Sequence, residues 1–255
     1  TGFPAARMPR WRLLVELARI ADPRDHSDTF VRDDPRPGLA EASERVRHLH
    51  RALARWWAAF CFSHPRLWRG RARCARVTAR DAARVLFVCK GNICRSAFAA
   101  RLAEMLLPPE VQVASAGYHP EPDRPCPPDA LRAAAALGVD LSAHRSRVLS
   151  RRLLDEADLV FVFDEDNYLT LRRWYPHVAA KIHVLGVLGS RANALIRDPY
   201  GGGGRDVGAA YRAIHDSVVA LAAARVSSAS PHAATRQTGR VIRPAGTRAT
   251  GRLSR

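Results

Sequence analysis

The chain has 255 residues, 47% of them hydrophobic, and a formal charge of +17. That length and apolar share exclude a wholly disordered chain and leave room for one large domain, or one ordinary domain with extensions. The charge invites a nucleic-acid partner, but residues 1–84 hold a net +9 and residues 226–255 a net +6, which leaves the middle almost balanced and disfavours that reading.

Lys occurs only at Lys90 and Lys181, so the basic excess is arginine. Coding bias explains it, or selection for an acidic partner or anionic lipid. The five cysteines, Cys61, Cys74, Cys89, Cys94 and Cys126, have no regular spacing and do not form a disulfide framework. No run approaches the ~20 apolar residues of a membrane span, and the start shows no signal peptide. A reducing cytoplasm is the expected location.

Along the chain, residues 9–21 have helical periodicity, with Trp11, Leu14, Val15 and Leu17 near one face. Residues 22–38, rich in Asp, Arg and Pro, read as a loop. Residues 39–63 read as a helix ending in Trp56, Trp57, Phe60 and Phe62, and His64-Pro65 should stop it. Residues 66–84 are Arg-rich and read as a connector.

From residue 84 the pattern changes. Apolar strands are expected over 84–88, 111–115, 159–163 and 181–185. Helices are expected over 96–107, 128–137, 150–157, 165–174 and 206–224. This alternation predicts an α/β fold, a four-stranded parallel sheet with helices on both faces, preceded by a helical extension. The division is then a basic helical extension over 1–83, an α/β domain over 84–225, and a tail over 226–255 with little to bury, expected to be disordered.

One segment carries chemistry. Cys89-Lys90-Gly91-Asn92-Ile93-Cys94-Arg95-Ser96 follows a strand and opens a helix. A short loop over a helix N-terminus aims successive backbone N–H groups into one concavity that fits a phosphate. Gly91 allows close approach, Asn92 tolerates a left-handed backbone, and Arg95 can give two parallel hydrogen bonds to phosphate oxygens. Cys89 falls at the base of this ring of donors, where helix N-termini and cations favour a thiolate nucleophile. Ser96 is placed to donate to that sulfur. The other reading, an inert buried cysteine, leaves the Gly-Asn pair and the flanking elements unexplained.

The stretch VLFVCKGNICRSAFAA over 85–100 resembles the low-molecular-weight protein tyrosine phosphatase family. Ser115-Ala116-Gly117, GVDLSAHRSRVL at 138–149, FDEDN at 163–167 and DPYGG at 198–202 follow in the family's order. The resemblance spans about 84–225 and neither flank. It implies a flavodoxin-like phosphatase fold and a phosphotyrosine-containing protein as substrate, without metal or cofactor. It assigns Cys89 as nucleophile, Arg95 as phosphate clamp and Asp198 as general acid. Lys90, Gly91, Asn92, Ile93, Cys94, Ser96 and Tyr200 would surround the substrate, with Ser115, His144 and again Asn92 as support. By the same resemblance Cys94 can form a reversible disulfide with the nucleophile, or it is a small packing residue.

Departures from the family are Lys90 at a rim position that is usually apolar, Tyr118 for a common Thr, Phe163 for a common Met, and Gly201 after Tyr200. An arsenate reductase of this fold needs relay cysteines, and residues 155–175 hold none. A protein-arginine phosphatase resembles the loop with Thr in place of Ile93. The resemblance also suggests a bacterial tyrosine kinase of exopolysaccharide export as cognate partner. A rival of another class is a membrane- or nucleic-acid-binding protein acting through the basic flanks, with peripheral membrane contact through residues 1–84.

Overall fold

The computed structural model describes residues 37–190 and 193–226. The helix expected over 9–21, residues 22–36 of the loop expected over 22–38, and the tail beyond Val226 lie outside the described residues; the last two loop positions, Pro37 and Gly38, open a helix instead.

Two helices come first, α1 over Pro37–Ser63 and α2 over Pro65–Asp81. His64, extended before its proline, separates them as expected. Pro65 then starts α2, because a first-turn residue needs no N–H partner. The connector expected over 66–84 is therefore wrong. Trp68, Ala72, Ala75 and Ala79 recur at helical spacing and are buried, while the arginines between them face outward. The arginine content concealed this stripe.

The α/β region follows, with β1 over Arg84–Cys89, α3 over Arg95–Leu106, β2 over Gln112–Gly117 and α4 over Pro128–Ala135. Then come α5 over Arg151–Glu156, β3 over Leu159–Val162, α6 over Glu165–Trp174, β4 over Ile182–Val184 and α7 over Gly204–Val226. All pairings are parallel, in the order β2-β1-β3-β4. Val85 to Cys89 and Leu159 to Val162 are buried throughout, which is why these strands read as unbroken apolar runs. The crossovers β1-α3-β2 and β3-α6-β4 run in opposite directions along the sheet. With right-handed connections they cover opposite faces.

The sheet register sets the functional edge. Cys89 is the last residue of β1 and pairs with Gly117, the last of β2, and Asp164 follows the end of β3 closely. Loops at the carboxyl ends of parallel strands therefore converge on one crevice. On the β4 side, α1 lies against α6, and α2 lies against α7 and the short 3-10 turn Leu185–Val187. Arg76 donates to the Leu188 carbonyl at 3.3 Å. From α7, Arg225 donates to the Ala82 carbonyl at 2.8 Å and also to that of Ala79, a cation at the carboxyl end of α2.

Candidate active site

The 89–96 loop connects β1 to α3 with one residue in the left-handed region. Asn92 has φ 52° and is fully buried. Four polar contacts hold it there. Its Nδ2 donates to Ser96 Oγ and Ser115 Oγ, both at 2.9 Å. Its Oδ1 accepts from the Arg147 N–H at 2.8 Å. Its carbonyl takes the His144 Nε2 at 2.7 Å, and since a carbonyl only accepts, Nε2 carries the proton.

This network also orients the sulfur's partners. Ser96 Oγ accepts from Asn92, which leaves its hydrogen for Cys89 Sγ at 3.0 Å. The Asn92 N–H adds a second donor to that sulfur at 3.3 Å. Outside the loop, His119 N–H donates to the Lys90 carbonyl at 2.9 Å and Arg124 to the Gly91 carbonyl at 2.8 Å. Gly117 permits this packing. A Cβ there would stand 2.7 Å from the Lys90 oxygen and 2.8 Å from the Asn92 nitrogen.

Among the described residues Arg95 is the largest fully buried side chain. It donates to the Ile196 carbonyl at 3.0 Å, pairs with Asp198 Oδ2 at 2.7 Å, and contacts Asp164 closely. Its guanidinium also stands 5.7 Å from the Phe163 ring centroid. Burial alone would push this guanidinium down. The negative groups Cys89, Asp164 and Asp198 outweigh burial and hold it above its ordinary value. Arg95 Nε is buried and has no hydrogen-bond partner among the described residues. No side chain among them caps the first turn of α3 either. One loop thus presents a buried cationic donor and helix-terminal amides beside a hydrogen-bonded sulfur. That donor set suits a phosphate dianion.

Asp198 stands at the mouth of the site, its side chain 41% exposed, with Oδ1 accepting from the Tyr200 N–H at 3.3 Å. Cys94 is buried in the loop, and burial pushes its thiol up to about 12. Ile93 is half-buried, folded toward Gly91, whose added Cβ would meet it at 3.3 Å. Lys90 is exposed at the rim, and Tyr200 is 70% exposed, the expected site residue least engaged with the others. All the rest of the expected set meets around Arg95 and Asn92.

Sequence reasoning missed four contributors. Asp164 caps α6 by accepting from the Asn167 N–H at 2.7 Å while its other oxygen grips Arg95. Asn167 donates to the Tyr118 hydroxyl at 3.0 Å. Burial pushes that phenol up to about 12, so it remains neutral. The Arg147 N–H and the Arg124 side chain complete the loop's support. Position at the carboxyl end of β3 was the signal that could have found Asp164.

The geometry places a cysteine within a donor set suited to phosphate, on a four-stranded parallel α/β fold. The model of the low molecular weight phosphotyrosine protein phosphatase family matches residues 84–231. The chain belongs to that family, and is a protein-tyrosine-phosphatase by class. It is 37% identical over 116 residues to the probable low molecular weight protein-tyrosine-phosphatase EpsP of Ralstonia nicotianae, covering 46% of this chain and 77% of the relative. Among solved structures, Vibrio vulnificus Wzb in complex with benzylphosphonate is 30% identical with a TM-score of 0.51, covering 56% of this chain and 98% of that one. The YwlE arginine phosphatase of Geobacillus stearothermophilus is 29% identical with a TM-score of 0.53, covering 57% and 94%.

Proposed function

We propose that this chain hydrolyses phosphotyrosine in proteins through a phosphocysteine at Cys89. The observation that carries the reading is the buried, unpartnered Arg95 Nε in the loop that holds the Cys89 sulfur. A buried donor normally has an acceptor, and an equatorial phosphate oxygen is the acceptor this loop fits. In the first step the Cys89 thiolate attacks phosphorus and the P–O bond to tyrosine breaks. The electron pair goes to the phenolic oxygen, which takes the proton of Asp198. In the second step water attacks the phosphocysteine, gives its proton to the Asp198 carboxylate, and the S–P bond breaks to return the thiolate. Ser96 donates to the sulfur as it leaves. Arg95 and the loop amides hold the equatorial oxygens, and Asn92, Ser115 and His144 hold the loop.

The decisive measurement is p-nitrophenyl phosphate turnover. Cys89→Ser should be inactive, and Asp198→Asn slowed most on substrates with poor leaving groups, about 10²–10³-fold there and far less on p-nitrophenyl phosphate. Wild-type turnover by Cys89→Ser would reject the mechanism. Solved relatives carry both tyrosine- and arginine-phosphatase names at similar identity, 27% for the tyrosine phosphatase Wzb of Escherichia coli K30 and 29% for the arginine phosphatase. Ile93, in place of the arginine phosphatase's Thr, supports the aryl ester. Faster hydrolysis of phosphoarginine than of phosphotyrosine would overturn that choice.

A cognate tyrosine kinase of exopolysaccharide export is the proposed protein substrate, supported by the family resemblance. Retention of phosphotyrosine on such a kinase beside active enzyme would reject it. The five free cysteines support a cytoplasmic setting. A second reading concerns α1, where Val46, Leu49, Leu53, Trp56 and Phe60 recur at helical spacing and are exposed beside Arg51. That stripe supports peripheral contact with an anionic membrane. The full chain should co-sediment with anionic vesicles and Trp56→Glu should not. Absence of wild-type binding rejects the contact. No helix among the described residues is long and apolar enough to cross a membrane.

A further inference from the structure

Two pieces of the catalytic arrangement lie outside the 89–96 loop, and both are held from outside the family-matched region. The first is the start of α6. Asp164 caps it and grips Arg95, and two residues later Asp166 receives Arg55 of α1 through both carboxylate oxygens, at 2.6 and 2.9 Å. The second is the irregular segment that leads to Asp198. Its Ala194 N–H donates to the Phe62 carbonyl at 3.1 Å, and its Ile196 N–H donates to the Phe163 carbonyl at 2.8 Å. Ile196 then offers its own carbonyl to Arg95. On the far side Gly186 lets the Ala194 backbone approach so closely that a Cβ there would clash with it.

Phe62 links the two pieces. Its carbonyl, in the last turn of α1, has no helical partner and is free to take Ala194. Its ring is buried and meets Tyr168 of α6 edge-on, with centroids 5.2 Å apart. Arg71 of α2 stands over both rings, 4.8 Å from the Phe62 centroid and 5.7 Å from that of Tyr168, and donates to the Tyr168 hydroxyl at 3.2 Å. One residue of α1 therefore grips the acid-bearing segment through its backbone and α6 through its ring.

We infer that α1 and α2 form a brace that sets the position of Asp198 relative to Arg95, with Phe62 and Arg55 as positioning residues for the proton transfer. The inference rests on Asp198 being the general acid. Slack at Ala194 moves Asp198 four residues on, whereas the Cys89 sulfur with its donors Ser96 and the Asn92 N–H stays fixed by the Asn92 network, and Arg95 keeps Asp164, which its cap bond from Asn167 holds. Loosening the brace therefore weakens leaving-group protonation more than phosphate binding or attack. Small misplacements of a catalytic group are expensive, with about 1 Å costing on the order of 10²-fold.

The test compares kcat/KM on p-nitrophenyl phosphate, whose leaving group needs little protonation, with that on phenyl phosphate, whose leaving group needs much more. The full chain, Phe62→Ala, Arg55→Asp, Arg55→Asp with Asp166→Arg, and Asp198→Asn are measured together, with circular dichroism as the check on folding. Phe62→Ala should lose about tenfold on phenyl phosphate and about twofold or less on p-nitrophenyl phosphate. Arg55→Asp should show the same bias at smaller size, and reversing the pair with Asp166→Arg should restore it. A purely structural role lowers the active fraction, hence both substrates equally, and that result overturns the brace. If Phe62→Ala does not fold, Arg55→Asp decides, and an unbiased loss or no loss overturns it. Asp198→Asn without leaving-group bias would instead remove the acid assignment. Bias in Asp198→Asn with none in the brace variants removes the brace alone.

Discussion

The 89–96 loop and the α1–α2 pair reach Arg95 by different means. The loop is held by polar contacts made to one buried residue, Asn92, through its side chain and its carbonyl, each with a defined donor and acceptor. The helical pair is held by an apolar stripe, with arginines satisfying carbonyls at its margins. A polar network of that kind fixes geometry sharply and fails when one partner is lost. An apolar stripe fixes position over a larger area and tolerates exchange of like for like. Substitutions in the loop should therefore show as lost turnover, and those in the helical pair first as stability and then as biased turnover.

Arg95→Lys tests the loop side with the largest expected effect. An ammonium keeps the charge but cannot meet Asp164, Ile196, Asp198 and a phosphate oxygen in one plane. Loss of one such donor costs on the order of 10²–10³ in turnover, read as kcat on p-nitrophenyl phosphate. Turnover within a few-fold of wild type would show that charge alone suffices and that the guanidinium geometry is irrelevant.

Gly117→Ala comes next. The three atoms nearest its Cβ are all loop backbone, at 2.7 to 2.9 Å, so the loop itself must shift. Overpacking of this kind costs about 1–3 kcal/mol, and turnover should fall roughly tenfold or more from displaced amides. A variant that keeps full turnover while its melting temperature drops would show that the loop's shape is not set from β2.

These two residues mark how much was legible in the chain. Cys89, Arg95 and Ser96 could be read because phosphate chemistry demands those side chains at one local spacing. Ser115 and His144 could be read because the family keeps their order. Asp164 was passed over because an Asp before a helix already has an ordinary explanation as a cap, which it also fulfils. The Arg147 contact uses a backbone N–H and the Phe62 contact a backbone carbonyl, and no side-chain pattern announces either. Helix α2 was hidden by composition, since four buried positions among many arginines look like a linker until their spacing is counted.

Within the loop, two cysteines five residues apart should differ in reactivity. Burial holds the Cys94 thiol at about 12 and that of Cys126 at about 11, so both stay protonated near neutral pH. Protonated thiols are poor nucleophiles. Iodoacetate near pH 7 should inactivate the enzyme by modifying Cys89, phosphate should protect, and peptide mapping should find Cys94 and Cys126 unmodified. Modification of Cys94 ahead of Cys89 would reverse the order read from the loop.

The smallest effect lies on the β4 side, where the helical pair meets the sheet. His183 of β4 is held down at about 4, first by burial and then by the cations Arg172 and Arg71, the latter from α2. Its buried Nε2 has no partner among the described residues. A folded-state value below the unfolded one, ordinarily about 6.5, means that the unfolded chain takes up the proton first as pH falls. The stability contributed by neutral His183 is therefore complete above about pH 6.5 and is lost as pH falls toward 4. Between pH 7 and pH 5 the loss from this one group is about 2 kcal/mol. His183→Phe keeps an aromatic ring beside Phe161 and removes the titration. Urea denaturation at both pH values should show a drop for wild type that is smaller by about that amount in the variant. Equal drops in both proteins would mean that His183 takes up its proton without unfolding β4, and that the side of the sheet covered by α2 is open to water.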